Sequence, residues 1–146
     1  MEKVRIYEIP KCRMVSSKCG MFGDGKLEKF DQWFSKLPKS MFPKDFLFFD
    51  KKKEGFVWYH MYEENMNVPD DFDLIEFQGG LYAVASGIDG ENNTRAIQTI
   101  KHFIKNSDCF IEDESRQYLG NVITPPAAEK VMGFVQMDYY VPIKSK

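Results

Sequence analysis

GFVWYHMY, residues 55–62, and GFVQMDYY, residues 133–140, are two versions of one glycine-led, aromatic-rich stretch in a chain of 146 residues. β-Branched and aromatic side chains run through both copies, the mark of a β-strand. The segments before them repeat as well. DFLFFD (45–50) precedes the first copy across a lysine-rich turn at Lys51-Lys52-Lys53. Further upstream, KLEKFDQWFSKL (26–37) places Leu27, Phe30, Trp33, Phe34 and Leu37 at three- and four-residue spacing. That spacing predicts an amphipathic helix, closed by Pro38. TRAIQTIKHFIKN (94–106) predicts a second helix, with Ile97, Ile100, Phe103 and Ile104 on one side. KVRIYEIPKCRMVSSK (3–18) and FDLIEFQGGLYAVASGI (72–88) read as the leading strands of the two copies, the former bent at Pro10. Tyr7-Glu8-Ile9-Pro10 matches Ile75-Glu76-Phe77-Gln78. After one extra residue in the second copy, Arg13–Ser17 matches Tyr82–Ser86. ESRQYLGN (114–121) and a loop holding Pro125-Pro126 complete the second copy.

The order is therefore strand, helix, strand, strand, written twice. This predicts an α+β fold and one domain over residues 1–146, with internal repeats at 3–64 and 72–144. NMNVPDDFD (65–73) is the joint, and it is short enough to keep the halves docked. Two copies are too few for a solenoid. Each unit has one sheet and one helix, so one face of its sheet is left uncovered. The expected arrangement is two antiparallel sheets with a helix each and a central ligand cleft.

Strand side chains alternate between faces, which sorts the repeated stretches further. Val57, Tyr59 and Met61 share one face, and Phe56, Trp58, His60 and Tyr62 share the other. In the second copy Val135, Met137, Tyr139 and Val141 share one face, and Phe134, Gln136, Asp138 and Tyr140 share the other. The faces beginning at Val57 and Val135 suit packing under a helix. The opposite faces mix rings with polar groups, which suits the wall of a cleft. Trp58, Tyr62 and Tyr140 would stack on a flat or cationic ligand, and a shielded Asp138 carboxylate would favour positive charge. Trp58, His60, Tyr62, Gln136, Asp138 and Tyr140 are thus candidate ligand-binding residues. The competing role for Asp138 is structural, as the partner of an arginine or of His60. His60 in turn reads as a satisfied polar residue, and any one ring as core packing. Glu8 and Glu76 occupy equivalent places, either facing outward or adding a second carboxylate to the cleft.

Composition narrows the function. Hydrophobic content of 43% predicts a packed core, and a high aromatic content of 15% fits either a bulky core or rings that line a pocket for a flat ligand. A net charge of −2 with mixed signs argues against direct nucleic-acid binding. Cys12, Cys19 and Cys109 are too few and too oddly spaced for a disulfide framework or a zinc site, and they point to a reducing, cytoplasmic setting. His60 and His102 complete no metal motif, and no cofactor motif is present. No stretch is long and apolar enough for a leader or a membrane span. Asn92-Asn93-Thr94 reads as a helix start rather than a glycosylation acceptor.

FQGGLYAVASG (77–87), the helix after it, RQYLGN (116–121) and the closing QMDYYVPIK (136–144) resemble the AraC-type effector-binding, or GyrI-like, family. The second half carries most of the likeness, and the first half follows by order of elements. The resemblance implies the duplicated fold with a central cleft that takes flat, hydrophobic, often cationic compounds. It places Asp138 where relatives carry an acid in the closing strand. It also adds Tyr118 to the ligand-binding candidates, as the tyrosine of the preceding strand. Two residues before it, where the family often has another acid, this chain has Arg116. That departure leaves two readings open: Arg116 pairs with Asp138, or the preference shifts toward neutral or anionic ligands.

The resemblance points to a stand-alone small-molecule-binding protein, without a DNA-binding segment of its own, acting in transcription regulation or in sequestering toxic compounds. Two alternatives accompany it. One is a hydrolase of reactive electrophiles, with Asp138 or Glu76 as base and Tyr118 or Tyr140 as hydrogen-bond donor. The other is an inhibitor of a DNA gyrase-like partner.

Overall fold

Each leading segment is two strands rather than one bent strand. In the computed structural model, which describes residues 3–89 and 94–146, β1 (Arg5–Ile9) and β2 (Cys12–Ser16) flank Pro10, and β5 (Asp73–Phe77) and β6 (Gly80–Ile88) flank Gly79. Proline has no N–H to give a ladder, and Gly79 turns the chain with φ of 70°. The remaining elements are α1 (Lys26–Phe34), β3 (Asp45–Asp50), β4 (Gly55–Met61), α2 (Thr94–Lys105), β7 (Phe110–Glu112), β8 (Leu119–Val122), α3 (Pro126–Met132) and β9 (Gln136–Ser145). The chain is α+β, with antiparallel strand pairs throughout the two units described next.

The chain divides into two compact units. One is continuous, Lys11–Gln78, with strand order β3-β4-β2-β5. The other is discontinuous, Met1–Pro10 with Gly79–Lys146, with strand order β1-β6-β9-β8 and β7 also paired to β9. The opening strands are therefore exchanged relative to the sequence repeat. β1 pairs with β6, which belongs to the second copy, and β5 pairs with β2, which belongs to the first.

In the discontinuous unit α2 lies on the face carrying Ala83, Ala85, Met137, Tyr139, Val141 and Ile143, and buries Ala96, Ile100 and Ile104 against it. This is the face beginning at Val135 that was expected to lie under a helix. In the continuous unit the opposite holds. Phe30 and Phe34 of α1 pack on Trp58, with ring centroids 6.0 and 5.1 Å away. Trp33 and Phe34 pack on His60, at 6.0 and 5.6 Å. Alternation separates the two faces of β4 but does not say which one the helix covers. The rings of α1 select the ring-bearing face, and Val57, Tyr59 and Met61 point away from it.

The helices begin and end for local reasons. Glu28 accepts the Gly25 N–H at 2.9 Å and Asp24 accepts the Lys26 N–H at 2.9 Å, so two orphan donors of α1 are satisfied. α1 ends at Phe34, short of the expected Leu37. Asn92 and Asn93, expected to start α2, lie outside the described residues. The stretch holding Pro125-Pro126, read as a loop, forms α3. Pro126 stands at its first position, where a missing N–H costs nothing, and Gly133 closes it with φ of 81°. The two repeated stretches thus differ in structure. Gly55 opens β4, whereas Gly133 ends α3 and β9 begins three residues later.

Candidate functional site

Residues directly opposed across paired strands share a face. In the discontinuous unit Arg5, Val84, Tyr140 and Leu119 form one such row across β1, β6, β9 and β8. Tyr7, Tyr82 and Pro142 form the next row, and Ser86, Asp138 and Asn121 the one on the other side. α2 occupies the opposite face, so these rows make up the helix-free face of the unit. Its chemistry is a carboxylate, a guanidinium and three phenols.

Asp138 is only 3% exposed. A buried carboxylate is stable only when hydrogen-bonded or paired. Here Arg5 Nη2 donates to Asp138 Oδ1 at 2.8 Å, and Ser86 Oγ donates to the same oxygen at 2.5 Å. Arg5 also donates from Nη1 to the Tyr7 hydroxyl at 2.6 Å and from Nη2 to Ser86 Oγ at 3.0 Å. Its guanidinium carbon lies 5.2 Å from the centre of the Tyr7 ring. Partial burial works against the Arg5 charge, but the bond to Asp138 and the attraction of that carboxylate outweigh it and hold the guanidinium protonated. Tyr140 completes the group, 6.2 Å from Tyr7 and 5.8 Å from Tyr82 between ring centroids. Burial first, then the Asp138 charge, pushes the Tyr140 phenol well above its ordinary range, so it stays a hydrogen-bond donor.

Arg116 does not pair with Asp138. Its Nε donates to Asp113 Oδ2 at 2.9 Å, and its other nitrogens donate to the carbonyls of Gly79, Leu81 and Ile143 at 3.2, 2.9 and 2.7 Å. It also stacks 4.8 Å from the Tyr82 ring centre. The Gly79-Gly80 pair makes room for it. Gly80 has φ of 128°, and a Cβ there would stand 2.5 Å from Arg116 Nη1. Arg116 is a fastener that ties the start of β6 to the end of β9. Asp113 is held down to about 2, first by the Ser115 hydroxyl and then by Arg116.

The other candidates from the sequence fall in several places. Gln136 shares the Asp138 face but is exposed, and its backbone N–H donates to Thr124 Oγ1 at 2.8 Å. Tyr118 donates to Glu112 and lies 5.9 Å from Lys101 Nζ of α2. In the continuous unit Trp58 and His60 lie under α1, with Trp58 Nε1 donating to Asp45 Oδ2 at 3.0 Å. Burial pushes the Asp45 carboxyl up, and that indole bond opposes the shift. His60 Nδ1 lies 2.8 Å from the Met61 carbonyl. Tyr62 stacks under Arg13, at 4.7 Å. Glu8 and Glu76 are both exposed. Arg5, Tyr7, Tyr82 and Ser86 were not singled out as ligand contacts. Arg5 and Tyr7 do stand at strand period in RIYEI, but nothing local tells which strand they lie against.

A separate open groove of about 780 Å³ runs along α2, lined among others by Val4, Arg95, Thr99, His102 and Asn106. Among the described residues no carboxylate and none of the candidate residues lines it. Among the described residues no three His, Cys, Asp or Glu side chains converge to hold a metal ion, and no helix is long and apolar enough to cross a membrane.

No protein-family model matches the sequence, and no curated protein matches it. Solved structures do match the fold. The chain is similar to EcmrR in its DNA complex, with 9% identity and a TM-score of 0.69 over 99% of this chain, and it spans 58% of that EcmrR chain. The EcmrR C-terminal domain alone gives 11% identity and a TM-score of 0.66, covering 100% of this chain and 99% of that one. SAV2435 bound to tetraphenylphosphonium gives 10% identity and a TM-score of 0.54, covering 97% and 94%. The chain shares the fold of these structures, in keeping with the GyrI-like resemblance of its sequence.

Proposed function

We propose that the chain is a small-molecule-binding protein that takes flat, hydrophobic compounds on the helix-free face of its discontinuous unit, with cationic compounds among them. The observation that carries this reading is the group of Asp138, Arg5, Tyr7, Tyr82 and Tyr140 on that one face. Tyr7 offers an exposed ring face, backed by the buried Tyr82 and Tyr140 rings that a ligand would have to uncover, and a buried carboxylate beside them offers charge recognition. The Arg5 side chain is 38% exposed and Tyr7 as a residue 38%, so the group is open to solvent at one side. Support also comes from SAV2435, a protein of this fold bound to tetraphenylphosphonium, and from EcmrR, one bound to DNA. A binding event here is expected to serve transcription regulation or the capture of a toxic compound.

Thermal unfolding in the presence of a panel of planar aromatic compounds, cationic, neutral and anionic, tests the reading. A ligand that binds only the folded state raises the midpoint with concentration. At least one compound is expected to do so in the native chain, and to lose most of the effect in Tyr140→Ala and in Tyr7→Ala. Midpoints that no compound moves, at concentrations up to its solubility, would exclude this function.

A further inference from the structure

The proposed site already contains a cation of its own. The Arg5 guanidinium sits against the buried Asp138 carboxylate at 2.8 Å and over the Tyr7 ring at 5.2 Å. Those are the two contacts an aromatic site with an acid gives to a cationic ligand: charge pairing below and a ring face beside it. Ser86 bridges the pair, accepting from Arg5 at 3.0 Å and donating to Asp138 at 2.5 Å. The carboxylate is 5% exposed as a side chain and the guanidinium 38%. The acid is therefore fixed in the sheet, and its partner is the half that opens to solvent.

We propose that Arg5 is a tethered competitor for Asp138, occupying the seat of a ligand's positive charge, so that a cationic aromatic compound binds only by displacing it. This rests on the small-molecule reading above and sets its specificity. A neutral ligand that stacks on the exposed Tyr7 ring leaves the Arg5–Asp138 pair intact. A cation must break that pair first, and its apparent affinity falls by the fraction of time the pair is open. The selectivity residue is then on β1, supplied from the far end of the chain, and is not the acid of the closing strand.

Tetraphenylphosphonium and tetraphenylborate have nearly the same size and shape and opposite charge, so they separate charge from bulk. Their binding is to be measured by isothermal titration with the native chain and with Arg5→Gln, Arg5→Lys and Arg5→Gln/Asp138→Asn. Glutamine keeps a donor for Asp138 and removes the charge. The expected result is that Arg5→Gln binds the phosphonium roughly tenfold more tightly, on the scale of a pair closed about nine-tenths of the time. Arg5→Lys is expected to show no gain, Asp138→Asn to cancel it, and the borate to gain nothing. If Arg5→Gln proves unstable, NMR of the ¹⁵N-labelled native chain replaces it: saturating phosphonium must shift the Arg5 Nε–Hε resonance and speed its exchange. An unchanged or weaker affinity for the phosphonium in folded Arg5→Gln overturns the proposal. So does an equal gain for both ions, which would make Arg5 a steric plug. Binding of neutral panel compounds without any binding of the phosphonium by these variants also overturns it, while leaving the small-molecule reading in place. Failure of every compound on every variant removes both.

Discussion

At the scale of single residues, Arg116 is the side chain whose role changes most between sequence and structure. Its place in the family pattern marks it as a departure from an acid. Its contacts make it a fastener, with one carboxylate and three carbonyls around one guanidinium. Arg116→Met keeps the length and removes every donor, leaving Asp113 without its ion pair and three carbonyls short of a partner. The expected loss is about 2 kcal/mol, less than for a fully buried pair because both side chains are partly exposed, read as a lower urea midpoint. Asp113 adds a pH signature. Its ordinary value of 3.8 is lowered to about 2 in the folded chain. A lowered carboxyl contributes stability that is present above the ordinary value and is lost as pH falls through the folded one. Native chain and Asp113→Asn are thus expected to differ in stability at pH 5 and to converge between pH 4 and 2. A difference that stays constant over that range would deny Asp113 its linkage. The residues of the candidate site were unevenly legible. Alternation along 136–140 puts Asp138 and Tyr140 on one face, and the register agrees. Arg5 and Tyr7 were hidden because a strand's own pattern gives its two faces but not its neighbour.

At the scale of elements, both long helices were visible from spacing, since a three-and-four repeat of rings or isoleucines survives any tertiary context. The strands around the repeated stretch were visible too. α3 was not, because its short run beginning at Pro126 buries nothing and so carries no apolar period. Nor was the side on which α1 packs, because β4 is apolar or aromatic on both faces and either would accept a helix. The rings decide it. Phe30 is fully buried and touches Trp33, Phe34, Trp58 and Phe72 at centroid distances of 5.0–6.0 Å. Phe30→Ala empties the middle of that cluster and is expected to cost about 3–5 kcal/mol, the usual range for a buried phenylalanine. Chemical unfolding followed by tryptophan emission reads it directly, since Trp33 and Trp58 both border the cavity. A cost below 1 kcal/mol would mean that α1 is not held by this cluster.

At the scale of the molecule, the exchange of opening strands outranks every local pattern. The sequence repeat counts β1 with β2, but the compact units count β1 with β6. Pro10 and Gly79 mark the crossings; from sequence Pro10 reads only as a bend, and Gly79 falls inside the single leading segment 72–88. Removing residues 1–10 takes an outer strand from the discontinuous unit, along with the arginine that neutralises Asp138. The buried carboxylate is then unpaired, and ΔG of unfolding is expected to fall by at least about 3 kcal/mol. Thermal unfolding of the truncated chain checks this, and adding Asp138→Asn to it should recover part of the loss. A truncated chain as stable as the intact one would show that β1 is dispensable.

The same exchange sets a timetable for biosynthesis. Residues 11–78 emerge as an unbroken stretch with all four of their strands, so that unit can close while translation continues. β1 emerges before any of them, yet β6 is not complete until residue 88 and β9 not until residue 145. At ordinary elongation rates the first strand therefore waits on the order of ten seconds for its place. During that interval RIYEI is an unpaired strand with apolar side chains at Ile6, Tyr7 and Ile9, the kind of segment that recruits other chains. Arg5 and Glu8 put a charge on each side of the Ile6-Tyr7 pair and so guard the nascent chain, and Arg5 gives up that duty only when Asp138 arrives to receive it.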